Sequence, residues 1–327
     1  MQTRQNVQVA VLLATYNGAR FVESQIKSLK ENVTRFTLHW LDDHSTDSTR
    51  DAVRAAALRW NVDLREWHQE EHLGVPNTFF CLLECVDADI YLFCDQDDIW
   101  QPGKIDVTVT NLLPDIECPV LSFSDCLMFY DDQPNTYYRI SDVLRIRPPA
   151  GVECSRSLMT TPALGQTCGL TRGLRNIYLR HNVIARTHAF MHSWWLYLVA
   201  HAIGTSRLLP QAPTTLYRRH GSNVTCAAAV YDTRLKGLRY IIAMWKMQQW
   251  LRRGVAKQAR GFVLAAAILP PGPKLDRLLA IARLVSTLDR RQSPVTLIRL
   301  ARDRALWPNW GRALWFSVAC LCSDAKL

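Results

Sequence analysis

An α/β fold built on a mostly parallel sheet is predicted by three observations in the first part of the chain. Apolar runs alternate with helical patterns, the connections between them are short, and three of the runs end on a polar turn. Val7 to Ala14 suits a strand buried on both faces, and Thr15-Tyr16-Asn17-Gly18 breaks it. Phe21, Val22, Ile26 and Leu29 then recur at spacings that make one apolar helix face. Phe36 to Leu41 reads as a second strand ending at Asp42-Asp43-His44-Ser45-Thr46-Asp47. A helix from about Ser48 to Trp60 follows, with Asp47 or Ser45 as its N-cap. Val62 to Trp67 reads as a third strand, Val75 to Val86 as a helix and Ile90 to Cys94 as a fourth strand. Sheets of this kind collect ligands at the carboxyl ends of their strands, where all three polar turns fall.

The third turn carries the strongest chemistry. In Phe93-Cys94-Asp95-Gln96-Asp97-Asp98-Ile99-Trp100, three carboxylates occupy four positions directly after a buried run. Side by side they raise one another's pKa unless a cation or hydrogen-bond donors offset the charge. Oxygen ligands suit a hard divalent ion, Mg2+ or Mn2+, that shares its coordination shell with substrate phosphates. A solvated acidic loop is the plain alternative for this cluster alone. With Thr15, Tyr16 and Asn17 and with Asp42 and Asp43 on the same edge, the three turns offer what a nucleoside diphosphate needs: a flat aromatic, hydrogen-bond acceptors and a cation. No Gly-rich phosphate loop of the P-loop or dinucleotide type is present.

The chain has 327 residues, enough for a sizeable core, with apolar and charged fractions of 48% and 21% that fit a globular protein. No signal-like N-terminus and no membrane-spanning apolar run is visible, and ten cysteines are scattered without a metal-binding spacing. Reduced thiols in a cytoplasmic protein are the expectation. Net charge is +10, divided unevenly: residues up to Ala229 hold 21 basic and 24 acidic side chains, the remainder 18 and 5. A basic tail suggests an anionic partner, and tryptophans alternate with basic residues in Tyr240 to Arg253, with Trp307, Trp310, Trp315 and Phe316 beyond. Two readings stay open: an amphipathic region lying on an acidic membrane surface, or a helical subdomain with its own aromatic core. Nucleic acid is not expected, because no binding motif accompanies the charge.

Ala10 to Gly18, Leu41 to Thr49 and Phe93 to Trp100, in that order, resemble the motifs of family 2 glycosyltransferases with a GT-A fold. The Asp-Gln-Asp-Asp-x-Trp variant, followed by Lys104, is similar to that of bacterial rhamnosyltransferases that build surface polysaccharides such as lipopolysaccharide. The resemblance implies a GT-A domain over residues 1–229, with a nucleotide-sugar half to about 125 and an acceptor half from 126, while charge and aromatic patterning mark a basic helical region over 230–327. It implies that Thr15, Tyr16, Asn17, Asp42, Asp43 and Asp95 bind the nucleotide, and that Asp95, Asp97, Asp98 and His220 hold the metal. Arg218 and Arg219 would meet the diphosphate, and Trp194 and Trp195 would border the acceptor. The implied partners are a nucleoside diphosphate sugar such as dTDP-rhamnose, a glycan or lipid-linked acceptor, and the anionic inner face of the cell membrane.

One position departs from the pattern. Family members carry an Asp as base in a His-Asp-Trp-Trp segment, and this chain reads His192-Ser193-Trp194-Trp195. A serine hydroxyl takes no proton at neutral pH. His192 as base, a carboxylate such as Asp125 reaching in from elsewhere, and a chain that binds sugar without transferring it all stay open.

Overall fold

The computed structural model describes residues 7–144, 154–209, 213–221, 223, 237–290, 292–302, 316–317 and 320. Its centre is a seven-stranded sheet. β1 (Val9–Thr15), β2 (Thr37–Asp42), β3 (Leu64–Trp67) and β4 (Ile90–Asp95) pair in parallel in the order β4-β1-β2-β3. Val9 to Leu13 and Ile90 to Cys94 are all buried, as strands covered on both faces require. The predicted helices are present as α1 (Val22–Ser28), α2 (Thr49–Arg59) and α3 (Asn77–Cys85). Asp47 accepts the amide of Thr49 at 3.0 Å, so the N-terminal turn of α2 has an acidic partner there.

Beyond β4 the sheet departs from a simple βα repeat. A short strand, β5 (Ile99–Trp100), leads into α4 (Lys104–Leu112), and β6 (Val120–Phe123) re-enters the large sheet. β7 (Leu127–Tyr130), β8 (Gln133–Arg139) and α5 (Ile140–Leu144) follow. β9 (Cys168–Thr171) lies antiparallel between β4 and β6, and β10 (Thr205–Leu208) extends β6 in parallel. β11 (Thr215–Arg219) joins β5, β7 and β8 in a second, four-stranded sheet ordered β5-β11-β7-β8. That small sheet carries Arg218 and Arg219 back to the acidic loop after β4.

Helices α6 (Arg172–Leu179), α7 (Asn182–His188) and α8 (His192–Ile203) lead from β9 to β10. Three more helices follow: α9 (Gly237–Ala265), α10 (Pro273–Val285) and α11 (Pro294–Arg302). Val255, Ala259 and Phe262 of α9 and Leu278 and Ala282 of α10 belong to the same hydrophobic cluster as Phe93, Leu170 and Trp195. The inward face of α9 is the one bearing Met247, Gln248 and Arg252, all buried, with the Trp250 ring 4.4 Å from that of Phe190. This part of the Tyr240 to Arg253 stretch is therefore packed on the body of the protein rather than free to meet lipid. Trp307, Trp310 and Trp315 lie outside the described residues, and Phe316 is buried.

Close approach of α9 depends on glycine. A Cβ at Gly261 would stand 2.3 Å from the Cβ of His188 and 3.2 Å from the Trp195 ring. Gly261→Ala is expected to cost about 1–3 kcal/mol by overpacking, read as a shift in a denaturant melt at unchanged m-value.

Candidate active site

The three polar turns interlock before any ligand is considered. Asn17 adopts a left-handed conformation (φ 49°), and its Oδ1 accepts the amide of Thr46 at 2.8 Å, tying the first turn to the second. Gln96 ties the first to the third: its Oε1 accepts the Tyr16 amide at 2.9 Å and its Nε2 donates to the Tyr16 carbonyl at 3.0 Å. Gly18 leaves room for this contact, since a Cβ would meet Gln96 Oε1 at 2.0 Å and push the amide aside. Tyr16 is thereby fixed at its backbone while its ring stays 47% exposed, 4.8 Å from the ring of His72.

Asp42 and Asp43 divide their roles. Asp42 accepts from Thr15 Oγ1 (2.8 Å), Ser45 Oγ (2.6 Å), the Ser45 amide (3.0 Å) and Arg50 Nε (2.7 Å). Burial pushes its pKa up, but these donors outweigh it and hold the carboxyl below the usual range. Asp43 accepts the amides of Leu73 and Gly74, both at 2.7 Å, and so pins the loop that carries His72. The sequence offered both as nucleotide contacts; the structure occupies both with protein donors. Asp43 borders the cavity described next and Asp42 does not.

A cavity of about 390 Å3 opens at the carboxyl ends of β1 and β4. Thr15, Tyr16, Asp95, Asp97, Arg219, His192, Ser193 and Trp194 all line it. The three carboxylates of the acidic loop do not converge. Asp97 Oδ2 lies 2.8 Å from His220 Nε2 and receives Asn223 Nδ2 at 3.2 Å, while Asp95 lines the cavity beside it. Asp98 turns away: it is fully buried, its Oδ1 accepts the Arg218 amide at 3.0 Å, and it fastens β11 to the acidic loop. Asp98 does not line the cavity with Asp95 and Asp97, and its Oδ2 is buried without a partner. Burial, then the Asp97 charge, pushes Asp95 up to about 7.

Among the described residues no three His, Cys, Asp or Glu side chains already stand as a metal cluster. The residues nonetheless fit a divalent cation, because buried negative charge beside Asp97 and His220 lacks a full counter-charge. Of the cations close to the loop, Lys104 is occupied by the Gln166 carbonyl and by Thr215 Oγ1 beneath the Trp100 ring, and Arg218 by the Asp97 carbonyl (2.9 Å) and Asp131. One or two protein carboxylates, with diphosphate and water completing the shell, are the usual set for Mg2+.

The two arginines also separate. Arg218 is sandwiched between the rings of Phe21 and Phe129 and bonds Asp131 at 2.7 Å, outside the cavity. Arg219 lines the cavity, with its guanidinium 2.8 Å from Tyr217 Oη. Of the tryptophans, Trp194 lines the cavity and donates to the Ser157 carbonyl at 2.7 Å, whereas Trp195 is fully buried and donates to His181. Adjacent helical positions point about 100° apart, so one Trp faces the cavity and its neighbour faces the core.

Ser193 stands in the first turn of α8, and His192 packs between the rings of Phe79 (4.2 Å) and Phe93 (4.5 Å). Burial pushes His192 down to about 3, which makes it a neutral hydrogen-bonding group rather than a proton acceptor. Asp125 does not reach the cavity; it accepts Ser141 Oγ at 2.7 Å and the Ser141 amide at 3.2 Å. Sequence reasoning missed Gln96 and the cavity wall supplied by α9, which includes Met247, Gln248 and Trp250.

A two-sheet α/β body with interlocked acidic and aromatic turns at the strand ends has the GT-A fold. Residues 10–141 match the model of the glycosyl transferase family 2. It is 26% identical over 265 residues to dTDP-rhamnosyl transferase RfbG of Shigella flexneri, covering 76% of this chain and 83% of the relative. Solved structures share the fold. The mannosyltransferase PcManGT of Pyrobaculum calidifontis, in complex with GDP-Man and Mn2+, aligns at TM-score 0.52 and 16% identity over 97% of this chain and 88% of that one. TarS 1-349 of S. aureus, in complex with UDP, aligns at 0.50 and 14% over 92% and 93%.

Proposed function

We propose that the chain transfers rhamnose from dTDP-rhamnose to a glycan acceptor, lipid-linked or otherwise, during assembly of a bacterial surface polysaccharide such as lipopolysaccharide. The observation that carries this reading is that Asp97, bonded to His220, and Arg219 line one cavity, a cation corner and a guanidinium suited to a diphosphate leaving group. The sugar identity rests on the RfbG relative. It is also consistent with the apolar wall of Met159, Ala163 and Leu164, which suits the methyl group of a 6-deoxyhexose.

Chemically, the acceptor hydroxyl attacks the anomeric carbon from the face opposite the diphosphate and releases its proton to water, the carbon–oxygen bond to the diphosphate breaks with its electron pair leaving on the diphosphate, and the configuration inverts. Asp97, His220 and Asp95 would hold a divalent cation, which when bound supplies Lewis-acid stabilisation of the departing nucleoside diphosphate. Arg219 offsets phosphate charge from the small sheet. Tyr16 offers its exposed ring to the base, and Gln96 keeps that ring in place. Ser193 and His192 border the acceptor side, where His192 orients hydroxyls while burial keeps it neutral.

Thermal melting with dTDP-rhamnose, UDP-N-acetylglucosamine and GDP-mannose tests the donor, since a ligand that binds only the folded form raises its melting temperature. The largest rise is expected with dTDP-rhamnose plus Mn2+. Equal rises with Mn2+ and with chelator would remove the metal from the reading, and no rise with any donor would remove the reading itself.

Membrane association belongs to the same proposal. Among the described residues no helix is long and apolar enough to cross a membrane. Leu264, Ile268, Val295 and Ile298 are nonetheless exposed on the C-terminal helical region, which carries most of the excess positive charge. Pelleting with anionic liposomes at low salt is expected, and the double variant Ile298→Glu/Arg299→Glu should reduce it. Point substitutions are the right tool, because removing α9 and α10 would strip part of the main core.

A further inference from the structure

Two polar side chains in the cavity wall are buried and have no partner. Gln248 is 2% exposed with no donor to its Oε1, and His192 is 4% exposed with neither ring nitrogen hydrogen-bonded. Both line the same cavity, one from α9 and the other from the start of α8. An unpaired buried amide or imidazole costs free energy, so a wall that keeps two of them is shaped for a ligand that brings the missing donors and acceptors. Gly165 packs directly against the imidazole, since a Cβ there would stand 2.8 Å from His192 Nε2, and so lets the ring sit in the wall. Between them the cavity is apolar and aromatic, with the Phe190 ring 4.4 Å from Trp250 and 5.7 Å from Trp194.

Hydroxyls that both donate and accept, on a ring whose C–H face packs against aromatics, are the property of a neutral pyranose. An acyl chain would leave both polar groups unpaired. We infer that α9, a helix outside the residues that match family 2, builds an acceptor-sugar subsite in which Gln248 Oε1 accepts from one hydroxyl and the His192 ring pairs with another. The inference rests on the donor reading above, and it assigns the opposite end of the cavity.

Saturation-transfer NMR tests it on the full chain with dTDP and Mn2+ present, using the methyl glycosides of rhamnose, glucose, galactose and N-acetylglucosamine as probes. At least one glycoside should bind the wild-type protein. Gln248→Leu and His192→Phe should each weaken that Kd by about fivefold or more, the loss of one net hydrogen bond, while the dTDP Kd moves less than about twofold. Should Gln248→Leu fail to fold by circular dichroism, Gln248→Asn keeps the amide, withdraws its reach and should weaken the same Kd. Undiminished glycoside binding in folded variants overturns the subsite, as does a wild-type protein that binds dTDP but none of the glycosides. Failure to bind dTDP itself would instead bring down the donor reading.

Discussion

Ser193→Asp is expected to raise the rate of sugar transfer by about 100-fold or more, because it restores a carboxylate where the family places its base and positioned proton transfer contributes about 100-fold to 10,000-fold. The site is suited to receive it. Ser193 lines the cavity and lies in the first turn of α8, where the helix dipole favours negative charge. Its wild-type hydroxyl offers no basicity, and the other titratable groups on that side do not replace it. His192 is held at about 3 by burial, and Asp125 is spent on Ser141. Steady-state transfer from dTDP-rhamnose by wild type and variant decides the matter. A gain of the stated size at unchanged donor KM identifies acceptor deprotonation as the step the native chain performs weakly. Equal turnover shows that the native site already has a competent route for the proton, and rejects the view that the chain only binds sugar.

The gathering of the three polar turns was legible in sequence because its parts are local. The strand runs Val9 to Leu13 and Ile90 to Cys94 are uniformly apolar, and the turns that end them lie on one sheet edge by topology alone. Which carboxylate does what was not legible. Asp95, Asp97 and Asp98 look equivalent in a row, but only the first two line the cavity, and Asp98 bonds an amide 120 residues away on β11. The small sheet was missed for the same reason: β5 has two residues, and β7 pairs with a strand that arrives after four intervening α-helices. Trp194 and Trp195 were read as a pair although a helix must turn them apart. A signal for the α9 wall was present, since Gln248 falls among Met247, Leu251 and Val255 on the inward phase of a helical pattern. A lone polar residue on such a face is a better marker of a cavity than the neighbouring tryptophans, which suggested lipid.

Asp97→Asn is expected to abolish the Mn2+-dependent part of nucleotide binding while leaving the fold intact. The substitution keeps the shape of the side chain and a possible contact with His220, but removes the charge a divalent ion needs. Calorimetry with dTDP should show that Mn2+ no longer strengthens binding in the variant. Wild-type protein adds a pH signature whose sign follows from Asp95, which burial and the Asp97 charge raise from 3.8 to about 7. Without metal, the folded chain therefore holds a proton on Asp95 that the unfolded chain has lost, between about pH 4 and 7. This contribution to stability is fully present below the unfolded pKa and is lost as pH rises through the folded one. A cation must displace that proton, so its apparent affinity should fall by up to about tenfold per pH unit below 7 and level off above it. The rise in melting temperature on adding Mn2+ should accordingly be large at pH 8 and small at pH 5.5. The buried histidines His39, His181 and His192 titrate in the opposite sense, losing stability as pH falls below 6.5, but they act equally with and without metal and cancel in the difference. An Mn2+ shift independent of pH across this range would mean that Asp95 is not displaced by the cation, and would leave Asp97 and His220 as its only protein ligands.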